Sequence, residues 1–286
     1  MLVTFYGTRG SCPCAGDGYD LFGGNTSCVL LDIGDDNPLI IDAGTGLREL
    51  GVALRPRLRA EGRAIQARML LTHLHYDHLL GLPFFCPLED EGAVLEVYGP
   101  KQDDATLSEV INTAVTPPFF PVKMKEFRGE VRLIEVGEED FALGDAKIVA
   151  RRIPHTGPTL GFRVEAAGAT LTYISDHQAP LDMKTVEPKV LELCRDADVL
   201  IHDAQYDEEE FAAKPDWGHS TIAYAVHVAA TAGVKTLVLF HHDPSHDDDR
   251  LAELELEALE APGATSIERI ISAREGMTLD LGSSTR

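Results

Sequence analysis

Apolar and polar positions alternate along this chain in short runs, most of them bounded by glycine, proline or acidic residues. Strand-like runs at 28–32 and 38–42 lead through Gly44 and Gly46 into a helical period over 47–58. A strand at 69–71 is followed by a polar loop and an apolar run at 93–98. Positions 107–114 have the period of a short helix. The segment Pro117-Pro118-Phe119-Phe120-Pro121 cannot be a central strand, because proline removes a ladder donor. Strands are expected at 131–136, 146–152, 161–165 and 170–175. The last third alternates more plainly. A helix at 189–195 precedes a strand at 198–201, and Ser220 or Thr221 caps a helix that Gly233 closes. A strand at 235–240 and an acidic helix at 249–259 follow. Strands mixed with helices throughout predict an α/β layered fold, with sheet inside and helices outside.

The 286 residues contain no low-complexity linker, fixed-period repeat or Pro/Ser-rich hinge, so 1–286 is expected to be a single domain with a sizeable core. Charge changes the picture more than size does. With 25 basic and 47 acidic residues the net charge is −22, which repels phosphate backbones and anionic membranes. A nucleic-acid polymer and a membrane are therefore poor partners. A small phosphate-bearing substrate stays open, because a metal ion reverses the field inside one pocket. No stretch has the apolar length of a membrane span, and the opening MLVTFYGTRGS lacks a secretory pattern. Five cysteines, an odd number, suit a reducing cytoplasm better than a disulfide framework. The pair Cys12 and Cys14 reads as small loop residues.

One segment concentrates the chemistry: Thr72-His73-Leu74-His75-Tyr76-Asp77-His78, directly after the strand at 69–71. Side chains two apart in an extended segment point to one side, so His73 and His75 can converge on one metal ion. Asp77 and His78, at the start of the next turn, can face a second ion nearby. Neutral imidazoles with a carboxylate suit Zn²⁺, with Mn²⁺ or Fe²⁺ as alternatives. Further candidates sit at matching places: His155 beyond 146–152, Asp176 at the end of 170–175, and His241 at the end of 235–240. Strand ends meeting at one rim are where layered α/β proteins place their sites. Together these residues offer three histidines to one ion, an aspartate and two histidines to the other, and one carboxylate to bridge.

The order Asp42-x-Gly-x-Gly46, His73-x-His-x-Asp-His78, His155, Asp176, His241 resembles the metallo-β-lactamase superfamily of binuclear metallohydrolases. Among its branches the chain most resembles the ribonuclease Z-like transfer-RNA 3′-processing endonucleases and the phosphodiesterases related to them. His202-Asp203-Ala204 resembles that branch's His-Glu-Ala element, with Asp in place of Glu, and Gly218-His219-Ser220-Thr221 resembles its His-Ser-Thr element. The resemblance implies a four-layer αβ/βα sandwich with the site on the rim between its halves. It also implies a homodimer, since relatives are often dimers. It departs at one place. Members that process tRNA carry a protruding arm, in many inserted between the motifs represented here by His155 and Asp176. Positions 156–175 leave room only for two strands and a turn. The elements Gly7-Thr-Arg-Gly10, Gly23-Gly-Asn-Thr26 and His241-His-Asp-Pro244 look like a group of small-molecule members that includes enzymes hydrolysing cyclic nucleotides.

The expected function is therefore a binuclear metal-dependent phosphodiesterase acting on small phosphodiesters, cyclic nucleotides foremost. The metal pair lowers the pKa of a bridging water, Asp77 orients it, His219 protonates the leaving alkoxide, and Asp203 fixes the tautomer of His219. The rivals are a tRNA 3′ endonuclease, a hydrolase of lactones, thioesters or β-lactams, and a metal-stabilised sensor without turnover. Other histidines read as bystanders. His177, His202 and His242 are expected behind the site or in solvent, His227 on a helix surface, and His246 with 207–210 in solvated acidic stretches. Phe119 and Phe120 either line the pocket mouth, where they could stack a base, or close a core or dimer interface.

Overall fold

The computed structural model describes residues 1–282. Its first half runs β1 (Leu2–Gly7), β2 (Cys28–Asp32), β3 (Leu39–Ile41), α1 (Gly46–Ala60), β4 (Gln66–Leu70), α2 (Tyr76–Leu79), β5 (Val94–Pro100), α3 (Leu107–Ala114) and β6 (Glu130–Val136). The second half runs β7 (Glu139–Leu143), β8 (Ala146–Arg152), β9 (Leu160–Ala166), β10 (Ala169–Ile174), α4 (Pro188–Cys194), β11 (Val199–Asp203), α5 (Glu208–Ala213), α6 (Ile222–Ala232), β12 (Thr236–Phe240), α7 (Asp248–Glu260), β13 (Arg269–Ser272) and β14 (Thr278–Asp280).

The strands form two seven-stranded sheets, ordered β14-β1-β2-β3-β4-β5-β6 and β13-β12-β11-β10-β9-β8-β7. Each sheet mixes antiparallel hairpins with a parallel block: β3 to β6 in the first and β10 to β13 in the second. The sheets face each other across a core in which Val3, Phe5, Leu31 and Leu70 join Ile148, Phe162, Tyr173, Ile201 and Phe240. Helices cover both outer faces: α1 and α3 over Ile40, Met69 and Val97, and α4, α6 and α7 over Ile174, Leu200 and Leu237. The predicted α/β layering is thus a four-layer helix–sheet–sheet–helix sandwich. Strand β11 is buried at all five positions, as a central parallel strand covered on both faces must be.

Most predicted elements appear within a residue or two of their expected bounds. The cap of α6 is Thr221, whose Oγ1 accepts the Tyr224 N–H at 3.1 Å, and Gly233 closes the helix at φ 70°. Strands β1, β7, β13 and β14 and helix α5 lie outside the pattern reading. β14 is three residues with one buried side chain, Leu279, and exists because β1 offers it a ladder. Residues 207–210 are not merely solvated: Asp207 and Glu210 form a reciprocal capping box at the start of α5. His246 is buried as well, its Nε2 2.8 Å from Glu210 Oε1. Phe120 packs edge-on against Phe84 and Phe127, while Phe119 stays 74% exposed. No helix among the described residues is long and apolar enough to cross a membrane.

Candidate metal centre

Every candidate ligand stands at or just past the end of a strand, along one rim of the sandwich. His73 and His75 lie in the extended segment after β4, and their rings meet at 4.4 Å. The single turn of α2 carries Asp77 and His78 inward and leaves Tyr76 71% exposed. His155 follows β8, Asp176 follows β10, Asp203 ends β11, and His241 follows β12. The two sheets thus each contribute half of the centre.

Two groups of ligand atoms converge. His73, His75, His155 and Asp176 each bring one atom into a cluster within 4.8 Å of one another, and Asp77, His78, Asp176 and His241 do the same. Asp176 belongs to both. Its Oδ2 lies 3.7 Å from His73 Nε2 and His155 Nε2 and 3.3 Å from His241 Nε2, and its Oδ1 lies 3.1 Å from His78 Nε2.

The donor set fits a pair of cations. Four of the five imidazoles turn Nδ1 outward to a fixed partner: Thr72 Oγ1 at 3.0 Å from His73, Asp42 Oδ2 at 2.8 Å from His78, the Gly218 carbonyl at 2.7 Å from His155, and Gln205 Oε1 at 2.9 Å from His241. Placing the proton on that outward nitrogen leaves each Nε2 with its lone pair aimed into the cluster, the tautomer a ligand needs. The inward nitrogens then crowd one another, as at His78 Nε2 and His241 Nε2, 3.3 Å apart. His73 Nε2 and Asp176 Oδ1 are buried without a hydrogen-bond partner among the described residues; the approach of His78 to Asp176 Oδ1 lacks hydrogen-bond geometry. Buried polar atoms left this way are rare unless an ion or water serves them.

Electrostatics favour the neutral form at three of the imidazoles and the ionised form at both carboxylates. Burial lowers the pKa of His73, His75 and His155, keeping them neutral and able to ligate. Burial acts against ionised Asp77 and Asp176, yet the surrounding histidines hold both carboxyls below the usual carboxylate range. His78 is pushed up, against burial, by Asp176, Asp77 and Asp42.

A further pair flanks the clusters. His219 Nδ1 lies 3.0 Å from Asp203 Oδ2, and its ring stacks on His241 at 5.0 Å. Asp203, His219 and His241 also come within ligand distance of each other. Asp203 is already engaged, however: Oδ2 accepts the His177 N–H and Oδ1 the Gln205 N–H. Its carboxylate is thus shared between two backbone donors and His219. Burial works against a charged His219, and Asp203 outweighs it to raise the ring's pKa.

Several supporting groups hold these ligands, some of them in motifs the sequence displays and others without any local signal. Asp42 stands at φ 63° and receives Thr72 N–H, Thr72 Oγ1–H, His78 and the Tyr173 hydroxyl. The Ser11 N–H donates to Asp77 Oδ2 at 2.8 Å. Gln205, which holds His241, follows Asp203 by two residues and carries no motif of its own. Glycine is required at 10 and 218, where a β-carbon would run into the rings of His241 and His155. Of the bystanders, His177 and His202 are buried, 3.0 Å apart through Nδ1 and Nε2, and His242 is buried against the Ala273 carbonyl.

Fold and centre together define a metal-dependent hydrolase of the metallo-β-lactamase fold. The family described as "Beta-lactamase superfamily domain" matches residues 37–242, and the chain belongs to that family. Among curated proteins it is 27% identical over 327 aligned positions to the ribonuclease Z of Natronomonas pharaonis, covering 98% of each. Among solved structures it is similar to the metallo-beta-lactamase fold protein YhfI from Bacillus subtilis (TM-score 0.69, 20% identity, 97% of this chain and 98% of that one). It is also similar to unliganded yeast PDE1 (TM-score 0.67, 16% identity, 98% and 99%).

Proposed function

We propose that this protein is a binuclear metal-dependent phosphodiesterase of the cytoplasm that hydrolyses small phosphodiesters, with cyclic nucleotides as the leading substrates and zinc as the leading metal. The observation that carries this reading is the Asp203–His219 pair standing beside the two ligand clusters. A hydrolase that expels an alkoxide needs a proton for it, and an oriented imidazole supplies one. When bound, a pair of divalent cations supplies Lewis acidity at phosphorus and makes water nucleophilic at neutral pH. The chain's own residues do the rest. His73, His75 and His155 would hold one cation and Asp77, His78 and His241 the other, with the Asp176 carboxylate available to both clusters. Asp77, fixed by the Ser11 N–H, orients the attacking water. His219 keeps Nδ1 on Asp203 and presents Nε2 to the departing oxygen. Five unpaired cysteines accord with a reducing compartment.

Relatives named ribonuclease Z favour a second reading, tRNA 3′ processing. Three observations favour the small substrate instead. Between His155 and Asp176 the chain has only β9, β10 and their turns, with no extra element to hold an RNA body. The 327 positions aligned with the Natronomonas enzyme outnumber this chain's 286 residues by 41, so that enzyme has segments this chain lacks. The charge of −22 opposes a polyanion as well. Turnover of bis-p-nitrophenyl phosphate by metal-loaded protein, abolished by chelator and restored by added zinc, is the expected result. A metal-loaded protein inert toward every phosphodiester but active on a lactone or thioester would refute it.

A further inference from the structure

The rim beside His155 opens into a cavity of about 720 Å³, which the His155 main chain helps to wall while its buried ring faces the ligand clusters. We infer that this cavity seats the organic arm of the substrate and selects a planar, uncharged ring, a nucleobase. The inference rests on the phosphodiesterase reading above and adds to it where the non-reacting part of the molecule goes. A diester held by its phosphate at the ligand clusters has to direct its substituents along the walls of that centre, and His155 belongs to both places.

The lining says what fits. Ala179, Pro180, Leu181 and Pro215 present apolar surface. The amide of Gln178 is spent within the wall: its Nε2 donates to the carbonyls of Ala179 and Pro215, and its Oε1 accepts the Gly218 N–H. The Asp216 carboxylate at the edge turns away anionic groups. What remains suits a flat, neutral, apolar face.

Two large apolar side chains stand in water on the adjoining loops, Leu181 at 79% and Trp217 at 63% exposure. Exposed apolar groups gathered beside a reaction centre mark a place where a ligand completes the burial. The loops bearing them are fixed to each other by the Gln178 bonds and by the Ala179 N–H on the His219 carbonyl at 3.1 Å. Gly218, at φ 97°, holds the turn against His155. The seat is therefore formed before the ligand arrives.

Trp217, next to the lining residue Asp216, is the sole tryptophan, so tryptophan emission reports on this loop. Titrating zinc-loaded protein with AMP should give a saturable change in emission, and ribose 5-phosphate should give none at the same concentrations. Leu181→Asp should weaken AMP binding roughly tenfold, the scale of losing the burial of one aliphatic side chain. In turnover, thymidine 5′-p-nitrophenyl phosphate should be preferred over methyl p-nitrophenyl phosphate, which shares its leaving group. In Leu181→Asp the ratio of the two kcat/KM values should fall roughly tenfold. Equal responses to AMP and ribose 5-phosphate, or an unchanged ratio in the variant, would overturn the cavity assignment while leaving the phosphodiesterase reading intact. Failure to cleave either ester would overturn that reading, and this inference with it.

Discussion

An imidazole in a metal site can ligate or move a proton, and where its second nitrogen points decides which role is open. His73, His78, His155 and His241 have neutral or anionic acceptors outward and crowded Nε2 atoms inward. His219 has a carboxylate on Nδ1 and sits to one side of both clusters. Replacing His219 by Ala should therefore leave metal content intact and lower turnover of poor leaving groups by about 10²-fold, with a much smaller loss on p-nitrophenyl esters. Equal losses on both ester types would remove His219 from the proton transfer. Asp176→Ala takes away the carboxylate common to both clusters, and metal analysis should find one equivalent or none. Gln205→Leu leaves every proposed ligand in place but frees the His241 ring. Chelator competition should then read a ten- to hundredfold loss of affinity, the range typical of groups that orient a ligating histidine.

At the scale of elements, the rim depends on short connections held by caps and glycines. Thr221 ends the loop that bears His219 and starts α6. Thr221→Ala should cost about 1 kcal/mol, read as a fall of roughly 2–4 °C in Tm for a chain of this size, and Thr221→Ser should restore it. This level also separates what the sequence discloses from what it hides. The long periodic elements α1, α6 and α7 are legible because each repeats its own period over a buried face, and β12 because it is a continuous apolar run. The H-x-H-x-D-H run is legible because local spacing alone puts its side chains together. β13 and β14 are too short for a period to register, and they persist through ladder partners distant in sequence, whereas β7 is held by the adjoining strand β8. Gln205, Ser11 and Tyr173 reach the site only through tertiary contact, and nothing in their neighbours announces it. His246 misleads for the same reason: Ser-His-Asp-Asp-Asp looks solvated until Glu210 arrives from α5.

At the scale of the whole molecule, the sandwich keeps several histidines buried outside the metal clusters, and this sets its response to acid. Burial lowers the pKa of His177 and His202 and pushes His242 down to about 3. Unfolded, each titrates near ~6.5. Below that pH the unfolded chain binds more protons than the folded one, so stability is complete above ~6.5 and declines as pH falls. Each such histidine contributes up to about 1.4 kcal/mol per pH unit. For His242 the decline continues until pH approaches its folded value of about 3. Urea midpoints measured between pH 7.5 and 5 should fall for the wild type and fall less steeply for His242→Gln, whose amide can still donate to Ala273. Identical slopes would mean that His242 is protonated in the folded protein.

The central claim is that two facing sheets assemble a metal pair and a proton donor for small phosphodiesters rather than for RNA. It is tested most directly by giving zinc-loaded protein 3′,5′-cyclic AMP and a precursor tRNA side by side and comparing kcat/KM. The account predicts ring opening of the cyclic nucleotide to a monophosphate, with little or no cleavage of the tRNA. Efficient release of the tRNA 3′ trailer with the cyclic nucleotide untouched would contradict it.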